Sequence, residues 1–509
     1  MKISNKFSKR RKKPIKRLQT WLSDRILKWC EKHPEHWLSV DNMYEFESDN
    51  SIIKSDVVVD FNNMIVLELV EKEYLDDFKS GISKLLKKNK LKNSLLFNNV
   101  DRIRDFIDEV STSYNIGGWS KLGYINFPDD NTLSNNIDYV EICALHFSPS
   151  LIAIYFNIKV TKNYIEEINN ILLSNIKAQR LFSMPRIKNL FKYKIWGSGV
   201  ISKDETKNIL IVDIITELKY RVLKEVNRYM PLYFTANNIL APSLEVFNTN
   251  INHNAKDNHH CWNSLGIDNY LGDLDVNGEW GLFLNKYKYN SDNFNFANYK
   301  LIFNVKTVES IYHDKEHYMF LLSSDIVKEI YPVLLQDTYI NHYEKCFSKL
   351  RNKIYKVIGK RNISYRKLLK YRYKYEIDIK MFKRLYREFN NKRFDKVLER
   401  FSKEVIDFNS KFRKHKAINL IYKSTLERFS ILDADIEEIR NIIYQNTELA
   451  TMKMNYKLSS KNLILTIITV TASTISVLIG LKAIGVTLDL MKVSKIDSLM
   501  NFIKSVFRW

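Results

Sequence analysis

The hydrophobic pattern of this chain is dominated by a run near its end, residues 463–481, that contains no charged residue. Lys461 and Lys482 bracket the run. Because a helix rises 1.5 Å per residue, about twenty apolar residues are enough to cross a hydrocarbon core of about 30 Å. The sequence therefore predicts a transmembrane helix at residues 463–482. The alternative is a buried helix in a soluble protein.

One face of this predicted helix is made of small and hydroxyl residues, which recur at alternating steps of three and four. This hydroxyl stripe consists of Thr466, Thr469, Ser473, Ser476 and Gly480. Such residues let helices approach closely in lipid and form hydrogen bonds across the contact. In a ring of identical helices they would line a polar path. The stripe therefore predicts either helix packing or a pore lining.

Residues 41–340 alternate strand-like runs with helical patterns, which is typical of an α+β or α/β domain. The strand-like runs are 57–61, 64–70, 139–147, 151–160, 281–284, 299–305 and 318–322. Asn62-Asn63 separates the first two runs. Residues 183–254 are predicted to be an insertion in this domain.

Residues 341–462 are predicted to form a basic helical stalk, because no proline follows Pro332 and no glycine lies between Gly359 and Gly480. Two apolar seams with heptad spacing favour coiled-coil packing of two or three long helices. The seams are Phe394, Leu398, Phe401, Val405, Phe408 and Phe412, then Phe429, Leu432, Ile436, Ile439 and Ile443. Helix breaks are predicted at Asn390-Asn391 and at a capping box in residues 424–427.

The second seam and the hydroxyl stripe do not share a register. The distance from Ile443 to Thr466 is 23 residues, which is not a multiple of seven. A stutter or a turn is therefore predicted between them.

The two ends of the chain are predicted to contact membrane lipid. Residues 1–40 combine a basic run with apolar residues at helical spacing and form a basic amphipathic arm. The alternative for this arm is a solvated segment that precedes an ordinary packed helix. Residues 483–509 are interrupted by charges and form an amphipathic interfacial tail rather than a second span.

The formal net charge of +22 points to anionic partners. Residues 341–420 contain 25 lysines and arginines against 8 acidic residues. Membrane lipid is the expected partner, and nucleic acid is a weaker alternative. Lys453, Lys457 and Lys461 share one face just before the uncharged run. They would anchor a single helix to lipid phosphate or form a cationic collar in a ring.

Cysteine usage and the N-terminus indicate the compartment. Cys30, Cys143, Cys261 and Cys346 form no CxxC pair, which fits a reducing environment. The basic N-terminus is not followed by the apolar segment of a secretory signal. We therefore expect the bulk of the chain in the cytoplasm and residues 463–482 in the inner cell membrane.

No motif in the sequence makes a positive case for an enzyme or a resident cofactor. Asp273, Asp275, Asn277 and Gly278 match the first half of a calcium loop. Asn277-Gly278 is also a standard hairpin turn, and we favour the hairpin. Weaker metal candidates are His259, His260, Cys261, His313 and His317.

The order of parts resembles the CorA-like divalent-cation transporters, in which a cytoplasmic α/β domain precedes a helical stalk that continues into a pore-lining span. The resemblance covers residues 417–481 and includes the segment NTELATMKMNYKLSSKNLILTIITV. The Gly-Met-Asn triplet of that family is absent, and residues 479–486 read IGLKAIGV. The resemblance implies a homo-oligomer with a divalent cation as the transported or regulatory ion.

Two functional hypotheses follow from the sequence. The first is a homo-oligomeric ion channel or transporter with a cytoplasmic regulatory domain. The second is a membrane-anchored interaction protein whose basic cytoplasmic part binds anionic lipid or nucleic acid.

Overall fold

The fold is described from a computed structural model of the chain. The described residues are 57–88, 104–105, 107–109, 119–129, 131–176, 179–183, 197–253, 259–285, 298–308, 314–358, 365–389, 392–407 and 416–483. They belong to two compact units, Met1–Cys346 with Phe382–Leu432, and Phe347–Met381 with Asp433–Trp509. The predicted arm at 1–40 and residues 484–509 of the predicted tail lie outside the described residues.

The first unit contains the strands. They are β1 (Val59–Glu71), β2 (Trp119–Ile125), β3 (Ile137–His146), β4 (Leu151–Val160), β5 (Gln179–Ser183), β6 (Gly197–Ile201), β7 (Ser243–Thr249), β8 (Ile267–Asp275), β9 (Trp280–Asn285), β10 (Asn298–Asn304) and β11 (Val405–Asp407). Within the described residues, nine strands form one sheet in the order β11-β8-β9-β10-β7-β1-β4-β3-β2, and β5 pairs with β6. β10 and β7 are parallel, and the other neighbouring pairs are antiparallel.

The centre of the sheet is apolar on both faces. Leu67 on β1 and Ile154 and Phe156 on β4 have no exposed surface. A continuous apolar run is what a strand covered on both sides requires. Together with the helices of this unit, the mixed sheet confirms the predicted α+β class.

β1 joins the two strand-like runs that were read as separate at Asn62-Asn63. The chain continues as one strand, with a bulge between Phe61 and Asn63 where the pairing with β7 shifts. The Asn63 amide donates a 2.6 Å hydrogen bond to Asn157 Oδ1 on β4. A buried asparagine amide can lie inside a strand when it has a hydrogen-bond partner on the neighbouring strand. The usual preference of asparagine for turns hides this possibility in the sequence.

The prediction of an insertion at residues 183–254 is wrong, because β7 lies at the centre of the sheet. Its polar residues hide the strand pattern in the sequence. Glu245 Oε2 lies 3.2 Å from Lys300 Nζ on β10, and neither side chain is exposed. Ser243 Oγ accepts a 3.0 Å hydrogen bond from Lys219 Nζ. These buried partners allow a polar strand in the core.

The two longest helices lie in the C-terminal part of the chain. The helices are α1 (Leu75–Lys88), α2 (Lys162–Leu173), α3 (Lys203–Val226), α4 (Tyr233–Ala236), α5 (His259–Ser264), α6 (Lys315–Ile358), α7 (Tyr365–Phe389), α8 (Lys392–Glu404) and α9 (Ala417–Ala483). α6 has 44 residues and α9 has 67. The predicted long helices are therefore confirmed.

Two boundaries of the helical part differ from prediction. The strand predicted at 318–322 is the start of α6, because the Asp314 carboxylate accepts hydrogen bonds from the main-chain N–H groups of Glu316 and His317. The first seam is interrupted, because Val405 begins β11, which pairs with β8.

One of the two predicted helix breaks falls within the described residues. Asn390 and Asn391 lie outside them, between the end of α7 at Phe389 and the start of α8 at Lys392, so the break there stays a prediction. The break predicted at residues 424–427 is wrong, since α9 continues through them.

Candidate functional site

In the second unit, α9 packs against the end of α6 and the first part of α7. Tyr375 Oη donates a 2.7 Å hydrogen bond to the main-chain oxygen of Ile436. Glu376 Oε1 accepts hydrogen bonds from Arg440 Nε at 3.3 Å and from Tyr444 Oη at 3.0 Å. All five members of the second predicted seam are buried. The prediction that the second seam packs against other helices is therefore confirmed.

The packing around α9 ends at Thr447, whose side chain is buried. From residue 452 to residue 480 every residue is exposed except Ser460, Thr471 and Gly480, which are half-buried. We call residues 452–480 the exposed segment. Its most apolar window has a mean hydropathy of 2.2, and no part of that window is buried. Among the residues that the structure describes, α9 is the one helix long and apolar enough to cross a membrane.

The exposed segment cannot stay in water without a large cost. Leu463 is 63% exposed and Ile479 is 64% exposed. Full burial of one leucine, isoleucine or valine side chain contributes about 1.5–3 kcal/mol, and the segment carries eleven such residues. A contiguous apolar surface of this extent marks a contact with lipid or with protein.

The hydroxyl groups of the stripe are bonded within the helix. Thr466 Oγ1 donates to the main-chain oxygen of Asn462 at 2.8 Å, and Thr469 Oγ1 donates to that of Leu465 at 2.8 Å. Ser476 Oγ makes the same bond to the residue four positions earlier, at 2.9 Å. The donors are therefore satisfied without water, as lipid requires. Each hydroxyl oxygen keeps acceptor capacity toward the outside of the helix.

Ser473 and Gly480 complete the stripe on the same face. A Cβ atom built on Gly480 would meet no described atom within 4 Å. The glycine is therefore not required by packing within one copy of the chain. A small residue on a span instead leaves room for the backbone of another helix.

Lys453, Lys457 and Lys461 are exposed and follow one another at steps of four along α9. Lys453 lies ten residues before Leu463, which corresponds to about 15 Å of helix. The three ammonium groups therefore extend from the edge of the apolar run to well outside it. This placement fits contact with lipid phosphate at the membrane surface.

The three weak calcium candidates have different structural roles. The Asp273 carboxylate is fully buried and accepts hydrogen bonds from the N–H groups of Ala417 at 2.7 Å and Ile418 at 2.9 Å. It therefore caps the first turn of α9. This contact could not be predicted from local patterns, because the partners lie 144 residues apart.

Asp275 ends β8 and Asn277 lies in the turn to β9, so the favoured hairpin is confirmed, although four residues, 276–279, connect the strands rather than the two of a standard hairpin turn. Asp275 Oδ2 accepts hydrogen bonds from the N–H groups of Asn277 at 2.9 Å and Glu279 at 3.3 Å. Gly278 has a φ of +74°, which glycine adopts without strain.

Among the remaining metal candidates, His260 has a local partner. His260 Nδ1 lies 2.8 Å from Asp204 Oδ2, and burial raises the pKa of the Cys261 thiol to about 12. His317 lies in the first turn of α6, and His313 lies outside the described residues. No group of three or more His, Cys, Asp or Glu side chains among the described residues is arranged to hold a metal ion.

A cavity of about 510 Å³ opens beside the β8–β9 turn in the first unit. Its wall combines carboxylates with aromatic rings: Asp275, Glu279, Asp325, Glu329, Glu404, Trp280, Tyr318 and Phe401. Arg400 Nη2 lies 2.6 Å from Glu329 Oε1, and Lys328 Nζ lies 2.8 Å from Asp325 Oδ1. Part of the negative charge is therefore compensated locally.

Two buried carboxylates were not anticipated from the sequence. Arg428 Nη1 donates a 2.9 Å hydrogen bond to Asp337 Oδ1, and Arg428 Nε donates a 2.9 Å bond to Glu344 Oε1. This network joins α6 to α9 within the first unit. Burial raises the pKa of Asp337 to about 6, although Arg428 opposes the shift.

Glu68 on β1 is the second buried carboxylate. Its oxygens accept hydrogen bonds from the N–H groups of Phe234 at 2.9 Å and Thr235 at 3.0 Å. Burial nevertheless raises the pKa of Glu68 to about 7. The alternating pattern of a half-buried strand would have placed a glutamate on the solvent side, which is why the sequence did not reveal it.

No family model, no curated protein and no solved structure matches this chain.

Proposed function

We propose that the protein is an integral membrane protein that is anchored by the exposed segment of α9, self-associates through the hydroxyl stripe and passes ions along it. The observation that carries the proposal is an uncovered apolar surface on a continuous helix whose threonine donors are bonded to its own backbone. The bulk of the chain then lies on the cytoplasmic side of the inner membrane.

The chemistry of the stripe supports an ion path. Hydroxyl oxygens from several copies would offer acceptors that replace part of an ion's water shell. At about 100° per residue, Lys453, Lys457 and Lys461 lie about 140° around α9 from the stripe, so they would attract anions to the membrane surface around the entrance rather than line the path itself. A divalent cation, which the resemblance to the CorA-like family implies, is the competing ion.

The first experiment tests the membrane span. After cell breakage without detergent, the full-length protein should sediment with membranes and resist extraction at high pH. Recovery of the folded protein in the soluble fraction would overturn the proposal.

The second experiment tests the ion path with two pairs of substitutions. Ser473→Leu with Ser476→Leu places bulky apolar groups on the stripe and should abolish flux of chloride and magnesium into proteoliposomes. Thr471→Leu with Thr474→Leu is the matched control, because at about 100° per residue both positions lie on the far side of the helix. Equal flux in both pairs would refute a pore role for the stripe.

The second candidate function is a membrane-tethered protein that binds an anionic partner. It is favoured by the excess of exposed basic side chains on α6 and α7 in the second unit, such as Lys353, Lys356, Lys367 and Lys374. Under this proposal the span could be replaced by an unrelated apolar helix without loss of function. Nucleic-acid binding by the solubilised protein should then weaken steeply with salt.

A further inference from the structure

The part of α7 in the second unit has an exposed face that is both basic and apolar. Its members are Arg366, Leu369, Lys370, Tyr373, Ile377 and Lys380, which recur at steps of three and four. Tyr373 is 73% exposed and Ile377 is 44% exposed. We call these six residues the basic face.

α9 has an exposed face of the opposite charge in the same unit. Its members are Glu438, Asn441, Gln445, Glu448, Leu449 and Met452. Leu449 is 62% exposed and Met452 is 66% exposed. We call these residues the acidic face. They lie on the opposite side of α9 from the buried Ile436, Ile439 and Ile443.

Contacts within one copy fix the relative level of these two faces. Arg440 bonds to Glu376, and the Arg372 guanidinium lies 3.8 Å from the centre of the Tyr444 ring. α7 therefore runs antiparallel to α9, with residue 376 level with 440 and residue 372 level with 444. Extending this register puts Lys370, Leu369 and Lys380 within two residues, or about 3 Å of helix rise, of the levels of Glu448, Leu449 and Glu438 respectively.

These levels are preserved between copies that share one axis along the span. In such a ring, every copy is related to the next by rotation alone, so equal levels meet. The basic face of one copy would then bring two lysines to the height of two glutamates on its neighbour. Between them, apolar residues of both faces would meet at the same height.

The direction of the hydroxyl stripe agrees with this arrangement. At about 100° per residue, the acidic face, the stripe and the buried seam follow one another around α9 at intervals of about a quarter-turn. When the stripe faces the ring axis, the acidic face points to one neighbour. The seam side, where α7 packs, points to the other.

Other occupants of the two faces fit less well. Two basic faces, or two acidic faces, that meet across a two-fold axis would bring like charges together. The bilayer cannot cover the basic face along its length, because α7 runs beside a helix that crosses the bilayer.

We propose that the basic face of α7 (residues 366–380) docks on the acidic face of α9 (residues 438–452) of a second copy of this chain, head to tail, to close a ring. This inference rests on the proposed function, since it needs α9 to cross the membrane.

Disulfide cross-linking tests the contact in the full-length protein in membranes. The background carries Cys30→Ser and Cys346→Ser, because Cys346 is exposed, whereas Cys143 and Cys261 are buried. Leu369→Cys with Leu449→Cys should give a ladder of covalent multimers that ends at the size of the ring. Either single substitution should give none. Cross-linking by one single substitution, or a ladder that stops at the dimer, would refute the head-to-tail contact.

Charge reversal provides a second test that does not depend on cysteine chemistry. Lys370→Glu with Lys380→Glu should lower the assembled fraction by about tenfold at limiting concentration. Adding Glu438→Lys and Glu448→Lys to the same chain should restore assembly. Lys349→Glu with Lys353→Glu, on exposed positions of α6, is the matched control and should have no effect. Failure of the variant with all four substitutions to restore assembly would contradict the proposed pairing.

The two proposals fail in different ways. A membrane-inserted protein without the ladder would refute the docking contact and leave the span intact. A protein recovered in the soluble fraction would refute the proposed function, and the docking contact would fail with it.

Discussion

The carboxylate of Asp273, at the end of β8, accepts a 2.7 Å hydrogen bond from the main-chain N–H of Ala417, the first residue of α9. A second bond from Ile418 completes the cap. The longest helix of the described chain therefore begins at a fixed point on the sheet of the first unit. A negative charge at a helix N-terminus also interacts favourably with the helix dipole.

Replacement of Asp273 should destabilise the protein. Asp273→Ala removes two hydrogen bonds at a fully buried site, so we expect a loss of about 1–3 kcal/mol in the free energy of unfolding. Asp273→Asn keeps one acceptor and should cost less. Thermal unfolding of the detergent-solubilised protein measures both, and Asn277→Ala in the exposed turn is the control. A normal melting temperature for Asp273→Ala would contradict the capping role.

Removal of Arg428 should be more costly than removal of an exposed arginine. Arg428→Ala leaves the buried Asp337 without its partner, and breaking such a pair costs about 3–5 kcal/mol. Arg351 faces Asp435 at 3.5 Å, with both side chains more than 40% exposed. Arg351→Ala should therefore cost less than about 1 kcal/mol. The two variants are compared by denaturant unfolding, and equal midpoints would show that the buried network contributes nothing.

Glu68 should make the stability of the protein depend on pH. Its pKa is raised from 4.5 to about 7 by burial, so the folded state binds the proton more tightly than the unfolded state. The protonated side chain therefore favours folding at low pH, and this contribution is lost as the pH rises from about 4.5 to 7. The full loss is on the order of 3 kcal/mol.

Glu68→Gln cannot ionise and isolates this contribution. Between pH 5 and pH 8 the wild-type protein should lose more unfolding free energy than the variant does. Thermal or denaturant unfolding at the two pH values gives the difference. Parallel pH profiles for the two proteins would show that Glu68 does not titrate in this range.

Gly480→Ile should affect assembly without affecting the single chain. The added side chain meets no described atom within 4 Å in one copy, but it would separate helices that touch along the hydroxyl stripe. We expect a lower oligomer mass in detergent with normal membrane insertion. Thr471→Ile, on the far side of the helix from the stripe, is the control. An unchanged mass for Gly480→Ile would place the helix contact elsewhere.

Patterns that are local in the sequence predicted much of the fold. Apolar residues at helical spacing, with no proline or glycine, predicted the long helices and the burial of Ile436, Ile439 and Ile443. The apolar runs at 151–160 and 299–305 became strands. In each case the pattern and the final environment depend on the same few neighbouring residues.

Features that depend on distant partners were missed. β7 carries Ser243 and Glu245, which are tolerated in the core because Lys219 and Lys300 reach them from other elements. Asp273 looked like a cation ligand because its partner, the start of α9, is far away in sequence. The hydroxyl stripe was visible in the sequence, and the structure places it on an uncovered surface; its role in ion passage stays a prediction.

The continuity of α9 has a consequence for how this sequence can change over evolutionary time. A stutter or a turn was predicted between Ile443 and Thr466. The turn is wrong, because the helix runs through these residues without interruption, and the stutter, a change of register within a continuous helix, stays a prediction. Since α9 is continuous, its rotational phase is set once, and inserting one residue between Ile443 and Thr466 would swing the downstream stripe by about 100°. A seven-residue insertion would nearly restore the phase while lengthening the helix by about 10 Å. Insertions and deletions in this stretch should therefore be tolerated only when they add or remove multiples of seven residues, because other lengths would rotate the hydroxyl stripe away from its contact.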